Sequence, residues 1–405
     1  MFRWLTRQDR RAAGAAAEAK ASRTGPVIAL HHSGRPVWTP RDYAALARAG
    51  FMRNPVVYRA VRLIAENAAR LTWLAYDGER ELDRHPALDL LARPNPRQAG
   101  AELMEAVYGH LLTAGNAYLE AAVVGEELRE LYALRPDRMK VVPDAGGWPA
   151  SYEYTACGRT VRFRQDEGAV APILHLALFH PLDDQYGFAP LEAAQVSLDV
   201  HNAASAWNKA LLDNAARPSG ALVYEGRDGA NLSEDQFKRL RQELETNFAG
   251  HANAGRPLLL EGGLSWQAMS LTPKDMDFLE AKNAAAREIA LAFGVPPMLL
   301  GIPGDNTYSN YQEANRALWR QTVLPLAART GEAIGRWLAP AWGGGVRLAF
   351  DADRIEALAA DREALWRRVA EADFLTVNEK RAAVGYSPVE GGDRLGIVDI
   401  GGVEG

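Results

Sequence analysis

Glu288-Ile289-Ala290-Leu291-Ala292-Phe293-Gly294-Val295-Pro296-Pro297-Met298-Leu299-Leu300-Gly301 is the stretch on which the reading of this chain turns. Its first half closes an Ala-rich helix that begins at Asp275 and runs through Leu279, Ala285 and Ile289 to Phe293. Gly294 supplies the residue type that ends a helix, and Pro296 cannot continue one. From Gly294 to Asn310 the text holds Pro296, Pro297, Gly301, Pro303 and Gly304, a connection longer than an ordinary turn and therefore a candidate functional element. A long helix resumes near Tyr311 and lasts to about Leu338.

Upstream lies a second Ala-rich helix, opening at Pro190 and passing Leu191, Ala194, Leu198, Ala204 and Leu211 until Pro218 and Gly220 stop it. The two helices flank a small insert: a strand at Ala221 to Tyr224, a helix from Ser233 to about Phe248, and strands at Pro257 to Leu260 and near Leu264 to Met269. Nearer the N-terminus, Asn54-Pro55 pairs a capping side chain with a proline suited to the first helical position, and Val57, Val61, Ile64, Ala68 and Leu71 follow at helical spacing. A second helix is expected from about Ala101 to Ala114, ended by Gly115.

Between Ala117 and Leu178, runs at Tyr118 to Val124, Leu128 to Leu134, Met139 to Val142, Tyr152 to Ala156, Val161 to Arg164 and Ile173 to Leu178 are punctuated by Gly, Pro and Asp. They read as strands of one antiparallel sheet, which with the preceding helices makes an α+β domain over roughly 50 to 190. The chain closes with a strand at Val346 to Phe350, a helical region from Arg354 through Phe374, Asn378 and Val384, and a frayed Gly-rich end over 391–405. Residues 1–49 are expected to be a flexible tail, basic in its first half through Arg3, Arg7, Arg10, Arg11, Lys20 and Arg23.

The 405 residues exceed what one core usually organises, so two or three domains are expected. Hydrophobic residues at 48% and charged residues at 24% place the chain among globular proteins. A net charge of -5 argues against a tight nucleic-acid coat, which needs clustered cations to displace phosphate counterions. The one cysteine, Cys157, excludes an internal disulfide and a thiolate cluster. No run approaches the ~18 to 20 apolar residues of a membrane span, and the first residues lack a signal peptide's apolar segment. No membrane association is expected, and the chain is expected to be made in a reducing cytoplasm.

The common catalytic arrangements are missing: no GxxxxGK[ST], no GxGxxG, no GxSxG and no HExxH. The eight histidines are scattered, His31 and His32 lying together in the tail, with none at a helical i, i+4 metal spacing, although His175 and His180 flank one strand-like segment. Asp183 with Asp184, and Asp351 with Asp353, are carboxylate pairs whose ordinary roles are turns and helix caps. No catalytic residue, metal ion or cofactor is expected. A cytoplasmic α+β enzyme with an unrecognised site stays open as the alternative class, as does a monomeric or dimeric DNA-binding adaptor.

The order of these landmarks resembles the portal protein family of tailed phages, lambdoid siphophage type, over about 50 to 385. The resemblance is carried by Asn54-Pro55-Val56-Val57-Tyr58, His85-Pro86, Pro94-Asn95-Pro96, Gly115-Asn116-Ala117-Tyr118-Leu119 and Leu134-Arg135-Pro136-Asp137-Arg138. Tyr186-Gly187-Phe188-Ala189-Pro190-Leu191, the stretch quoted first, and Thr307-Tyr308-Ser309-Asn310 complete it. Ala189 stands where serine is common in the family and Ala215 where glycine is. The Ala- and Arg-rich composition resembles family members in phage-like gene transfer agents as much as those of true phages.

That resemblance implies a portal fold: an α+β wing at 50–189, stem helices at 190–216 and 274–294, and a small α/β clip at 217–273. It further implies a tunnel loop at 295–310, a long wing helix and strand at 311–353, and a helical crown at 354–390. The implied assembly is a cyclic homo-dodecamer at a unique capsid vertex, a conduit for double-stranded DNA in packaging and ejection. Its implied partners are the large terminase subunit, then a head-tail adaptor, and the major capsid protein. Twelve helices packed about 10 Å apart would enclose a bore of roughly 28 Å, wide enough for duplex DNA, whose groove depths sum to about 16 Å. Gly301, Ile302, Pro303, Gly304, Asp305, Asn306 and Thr307 are expected to face the DNA. Lys282, Arg287, Arg316 and Arg320 are the candidates for weak, sequence-independent phosphate contacts.

Overall fold

The computed structural model describes residues 38–78, 80–125, 127–213, 220–224, 233–247, 264–268, 278–304 and 308–395. The chain divides into a larger unit, Trp38–Lys209 with Pro273–Gly405, and a smaller one, Met1–Val37 with Ala210–Thr272. Its helices begin with α1 (Tyr43–Ala49), α2 (Pro55–Ala69), α3 (Pro86–Ala92), α4 (Gly100–Ala114), α5 (Pro190–Ala193) and α6 (Gln195–Asp213). They continue with α7 (Glu234–Asn247), α8 (Phe278–Ala292), α9 (Tyr308–Leu318), α10 (Leu324–Leu338), α11 (Ala359–Ala370) and α12 (Val377–Ala383). The strands are β1 (Trp73–Asp77), β2 (Arg80–Leu82), β3 (Asn116–Val124), β4 (Glu127–Leu134), β5 (Met139–Pro143), β6 (Pro149–Ala156), β7 (Arg159–Arg164), β8 (Ile173–Ala177), β9 (Gly220–Tyr224), β10 (Leu264–Ala268) and β11 (Val346–Phe350).

Helix α2 forms where its capping signal lies. Asn54 Oδ1 accepts from the backbone N–H groups of Val56 and Val57, and Pro55 occupies a first-turn position where no intrahelical donor is needed. Val57, Val61, Ile64 and Ala68 then bury one face against α4, whose Leu103, Met104, Val107 and Leu111 are buried in the same core. Gly115 ends α4 at φ +69°, in the left-handed region.

Residues 38–49 depart from the expected tail. The Thr39 backbone N–H donates to Asp199 Oδ2 at 2.9 Å, Asp42 caps α1 through the N–H of Ala45, and Leu46 is buried. A helix of seven residues with one buried leucine carries too little periodicity to stand out in the sequence from a tail.

The six expected strands form two sheets rather than one, ordered β4-β3-β8 and β5-β6-β7. Pro136 opens a single 3₁₀ turn, Pro136–Arg138, that separates β4 from β5. Strand β8 returns to β3, with Asn116 opposite Ala177 and Glu120 opposite Ile173. Tyr118, Leu134, Met139, Val141, Tyr152 and Ile173 make a satellite cluster apart from the main core. A third antiparallel sheet, β11-β1-β2, pairs Trp73 with Phe350 and Asp77 with Val346; the five mixed residues of β1 carry too few periods to mark a strand in the sequence.

The long helix expected from Tyr311 to Leu338 is present but not uniform. A π-helical turn, Trp319–Val323, joins α9 to α10. Pro325 explains it: proline has no N–H to donate and its ring collides with the carbonyl four residues back, so the ladder widens locally. Thr322, inside the turn, donates its hydroxyl to the Gly294 carbonyl at 2.6 Å. Helix α10 then packs on the main core, with Trp337 Nε1 donating to the Ala171 carbonyl at 2.7 Å.

In the smaller unit β9 and β10 pair antiparallel, Gly220 opposite Ala268 and Tyr224 opposite Leu264. Ser233 and Gln236 exchange reciprocal capping bonds at the start of α7. The strand expected at 257–260 lies outside the described residues. No helix among the described residues is long and apolar enough to cross a membrane.

Candidate functional site

The connection after α8 is built inward from its glycines and prolines. At Gly294, φ +65°, the chain turns, and Val295 is buried with its N–H on the Ala290 carbonyl at 2.9 Å. Pro297–Leu300 then form one 3₁₀ turn ended by Gly301 at φ +72°. The Ile302 N–H reaches back to the Pro297 carbonyl at 3.2 Å, so the segment is folded on itself rather than extended.

That turn corrects one expectation. Ile302 is buried, packed with Ala286 and Ala290 of α8 and with Val56 and Leu300; a branched apolar side chain beside an Ala-lined helix face gains more from that contact than from water. Gly301, Pro303 and Gly304 are exposed. Asp305, Asn306 and Thr307 lie outside the described residues.

The four candidate cations differ in their surroundings. Arg287 donates from Nη2 to the Pro303 carbonyl, and a Cβ added at Gly304 would stand 3.0 Å from the same nitrogen. It therefore straps the turn to α8, a role no periodicity or motif had signalled. Arg316 pairs with Glu313 at 3.1 Å and Asp361 at 3.5 Å and is largely covered. Arg320 is more exposed and sits 3.9 Å from Asp361. Lys282 has no ion pair among the described residues, and its charge adds to burial in holding the His201 imidazole below its ordinary pKa.

The histidines and carboxylates singled out by sequence serve the frame. His175 Nε2 meets Asn116 Oδ1 at 2.9 Å, and the ring stacks on Tyr118 with centroids 4.3 Å apart. Burial pushes its pKa down to about 4. His180 Nδ1 accepts from the Leu182 N–H. Asp183 accepts from the N–H groups of Gln185 and Tyr186, and Asp351 from that of Asp353; these are turn and cap bonds. Among the described residues no three His, Cys, Asp or Glu side chains converge as a metal site would require.

Among the described residues the chain builds an α+β body with Ala-rich helices and a Gly- and Pro-built turn strapped to the end of α8, the frame of a structural protein class. The chain belongs to the phage portal protein family, whose model matches residues 55–385. It is 55% identical to a chain from the neck of an empty gene transfer agent (GTA) particle computed with C6 symmetry, covering 88% of this chain and 96% of that one at a TM-score of 0.70. A chain from the neck of a native GTA particle computed with C12 symmetry is 54% identical, covering 88% and 97%, with a TM-score of 0.67. The portal protein of Enterobacteria phage HK97 is 27% identical over 393 residues, 92% of this chain and 86% of that protein.

Proposed function

We propose that this chain is the portal of a DNA-carrying particle, a ring-forming subunit at one capsid vertex through which double-stranded DNA enters and leaves. The observation that carries the reading is near-complete coverage, 96 to 97%, of neck chains at 54 to 55% identity. The C12 symmetry of one of those necks supports a dodecamer.

The surroundings of the candidate cations fit a conduit. A ring that must let DNA slide gains nothing from strong phosphate binding, whose affinity grows with every counterion released. Arg287 and Arg316 are already engaged with the protein's own carbonyl and carboxylates, which leaves weak contacts for Lys282 and Arg320. Residues 50–189 and 311–353 serve as the wing, 190–216 and 274–294 as the stem, 217–273 as the clip, 295–310 as the tunnel loop and 354–390 as the crown.

The clip docks the terminase motor during filling and the head-tail adaptor afterwards, while the wing meets the major capsid protein. Assembly takes place in the cytoplasm of the bacterial host. Native mass measurement of the purified chain, with class-averaged electron micrographs of the same sample, tests the reading. A closed ring of about twelve subunits around an open channel is expected; a chain that stays monomeric or dimeric across salt and concentration overturns it.

A further inference from the structure

The loop from Leu178 to Ala189, between β8 and α5, is tightly bonded yet holds apolar side chains in water. His180 Nδ1 accepts from the Leu182 N–H at 3.0 Å and its ring lies edge-on to Phe188. Asp183 Oδ1 accepts from Gln185 N–H at 2.7 Å and from Tyr186 N–H at 3.0 Å. Gln185 Nε2 donates to the Gly147 carbonyl at 2.6 Å, and the Tyr186 hydroxyl accepts from Val141 N–H. On the tied hairpin Asp144 Oδ1 accepts from the N–H groups of Gly146 and Trp148.

Those bonds fix a surface on which Phe179 is 80% exposed, Leu182 91% and Trp148 77%. Scattered apolar residues on mobile loops need no explanation, but a bonded, polar-rimmed apolar group marks an interaction site.

Elsewhere on the larger unit is a concave counterpart. Helices α1, α2 and α4 enclose an open groove of about 600 Å³ lined by Tyr43, Ala47, Phe51, Val61, Ala65 and Ala106 among others. The carboxylates at its wall are occupied, Glu105 by Arg62 at 3.6 Å and Glu102 by the Ala99 N–H. Arg48 and Arg53, which follow Ala47 and Phe51 closely in the chain, are exposed and have no ion pair among the described residues. Asp184, on the projecting loop, is likewise exposed and without an ion pair among them.

We propose that the Leu178–Ala189 loop of one copy seats Phe179 and Leu182 in the α1–α2–α4 groove of the next copy, with Asp184 facing Arg48 and Arg53. A convex apolar group and a concave one on the same chain, with opposite charges beside them, make a head-to-tail contact, and such contacts close into rings when the rotation permits. The occupant is a second copy because a closed ring of this kind matches every loop with a groove, and a chain 54% identical to this one sits in a neck of C12 symmetry. The inference rests on the ring reading above.

Cysteine cross-linking of the full chain tests it. In a Cys157→Ser background, which removes the one exposed thiol, Ala47→Cys and Leu182→Cys are introduced together, assembled, and treated with a short bis-maleimide. A ladder of covalent multimers up to the ring size is expected on a denaturing gel, with none from either substitution alone. In parallel, Phe179→Ser with Leu182→Ser alters only exposed side chains and should keep the helical circular dichroism signal while the ring peak is lost. Rings that give no ladder, or that survive the serine pair, overturn the contact and leave the portal reading standing. A wild-type chain that never forms a ring removes both.

Discussion

The side-chain amide of Asn54 donates to Nδ1 of His201 at 3.0 Å, joining the cap of α2 to the middle of α6. The same amide nitrogen donates to Asn202 Oδ1 at 3.0 Å, while the amide oxygen caps α2. One side chain thus starts α2 and registers it against α6, so the direction of α6 is set in part by a cap. Ser197 adds a second registration, donating its hydroxyl to Glu288 of α8.

Asn54→Ala should cost more than an ordinary cap. Losing the cap costs about 0.5–2 kcal/mol, and leaving the buried His201 acceptor and the half-buried Asn202 acceptor unmatched adds roughly 1–3 kcal/mol. Denaturant unfolding should show a loss of roughly 2–4 kcal/mol, and a loss below 1 would deny the amide its joining role. Asn54→Asp keeps the cap but replaces the donor with a carboxylate, so its deficit should shrink as pH falls and His201 takes a proton.

Acid should destabilise the chain through its buried imidazoles. Burial brings His110 and His175 down to about 4, so between about pH 6.5 and 4 the unfolded chain binds protons that the folded one refuses. Stability therefore rises with pH through that window, by roughly 1.4 kcal/mol per pH unit for each histidine, and the loss is complete below the folded values. Denaturation midpoints at pH 7 and pH 5 measure the slope. His110→Phe should flatten it only in part, because burial also holds His85 and His201 low; an unchanged slope would assign the acid sensitivity elsewhere.

Much of the frame was legible because it rests on local chemistry. Asn54-Pro55 with apolar residues at helical spacing specifies α2 within the chain's own text, and Gly115 and Gly294 end their helices in the left-handed conformations that favour glycine. Sheet partnership was not legible, since β8 chooses β3 over β7 through contacts spread across the chain. Pro325 was a readable warning of the break before α10, whereas the burial of Ile302 depends on the Ala286 and Ala290 face meeting it after folding. The Arg287 strap is likewise a tertiary event: its acceptor, the Pro303 carbonyl, carries no side-chain signature.

Gly331 sets two opposing effects against each other. In a helix interior Gly→Ala usually gains about 0.5–1 kcal/mol, but a Cβ here would lie 2.5 Å from Trp73 Cζ3 in α10's contact with β1. Overpacking of that kind costs about 1–3 kcal/mol, so Gly331→Ala should destabilise by roughly 1–2 kcal/mol and perturb the near-ultraviolet signal of Trp73. Gly109 in α4, with nothing within 4 Å of its added Cβ, is the control: Gly109→Ala should stabilise by about 0.5–1 kcal/mol. Equal effects at the two positions would refute the Trp73 contact.

Arg287→Ala separates holding DNA from holding the loop. If Arg287 acts as a phosphate contact, its loss lowers the salt slope of DNA association by about one charge and leaves the turn intact. Its bond to the Pro303 carbonyl and its position over Gly304 argue for the other role: without the guanidinium the 301–304 turn loses its tie to α8 while the helix stays folded. The expected result is rings of normal mass, an unchanged salt slope, and particles carrying less DNA than wild type. Particles that fill normally would show that the strap is dispensable, and a reduced slope with normal filling would return Arg287 to the phosphate contacts.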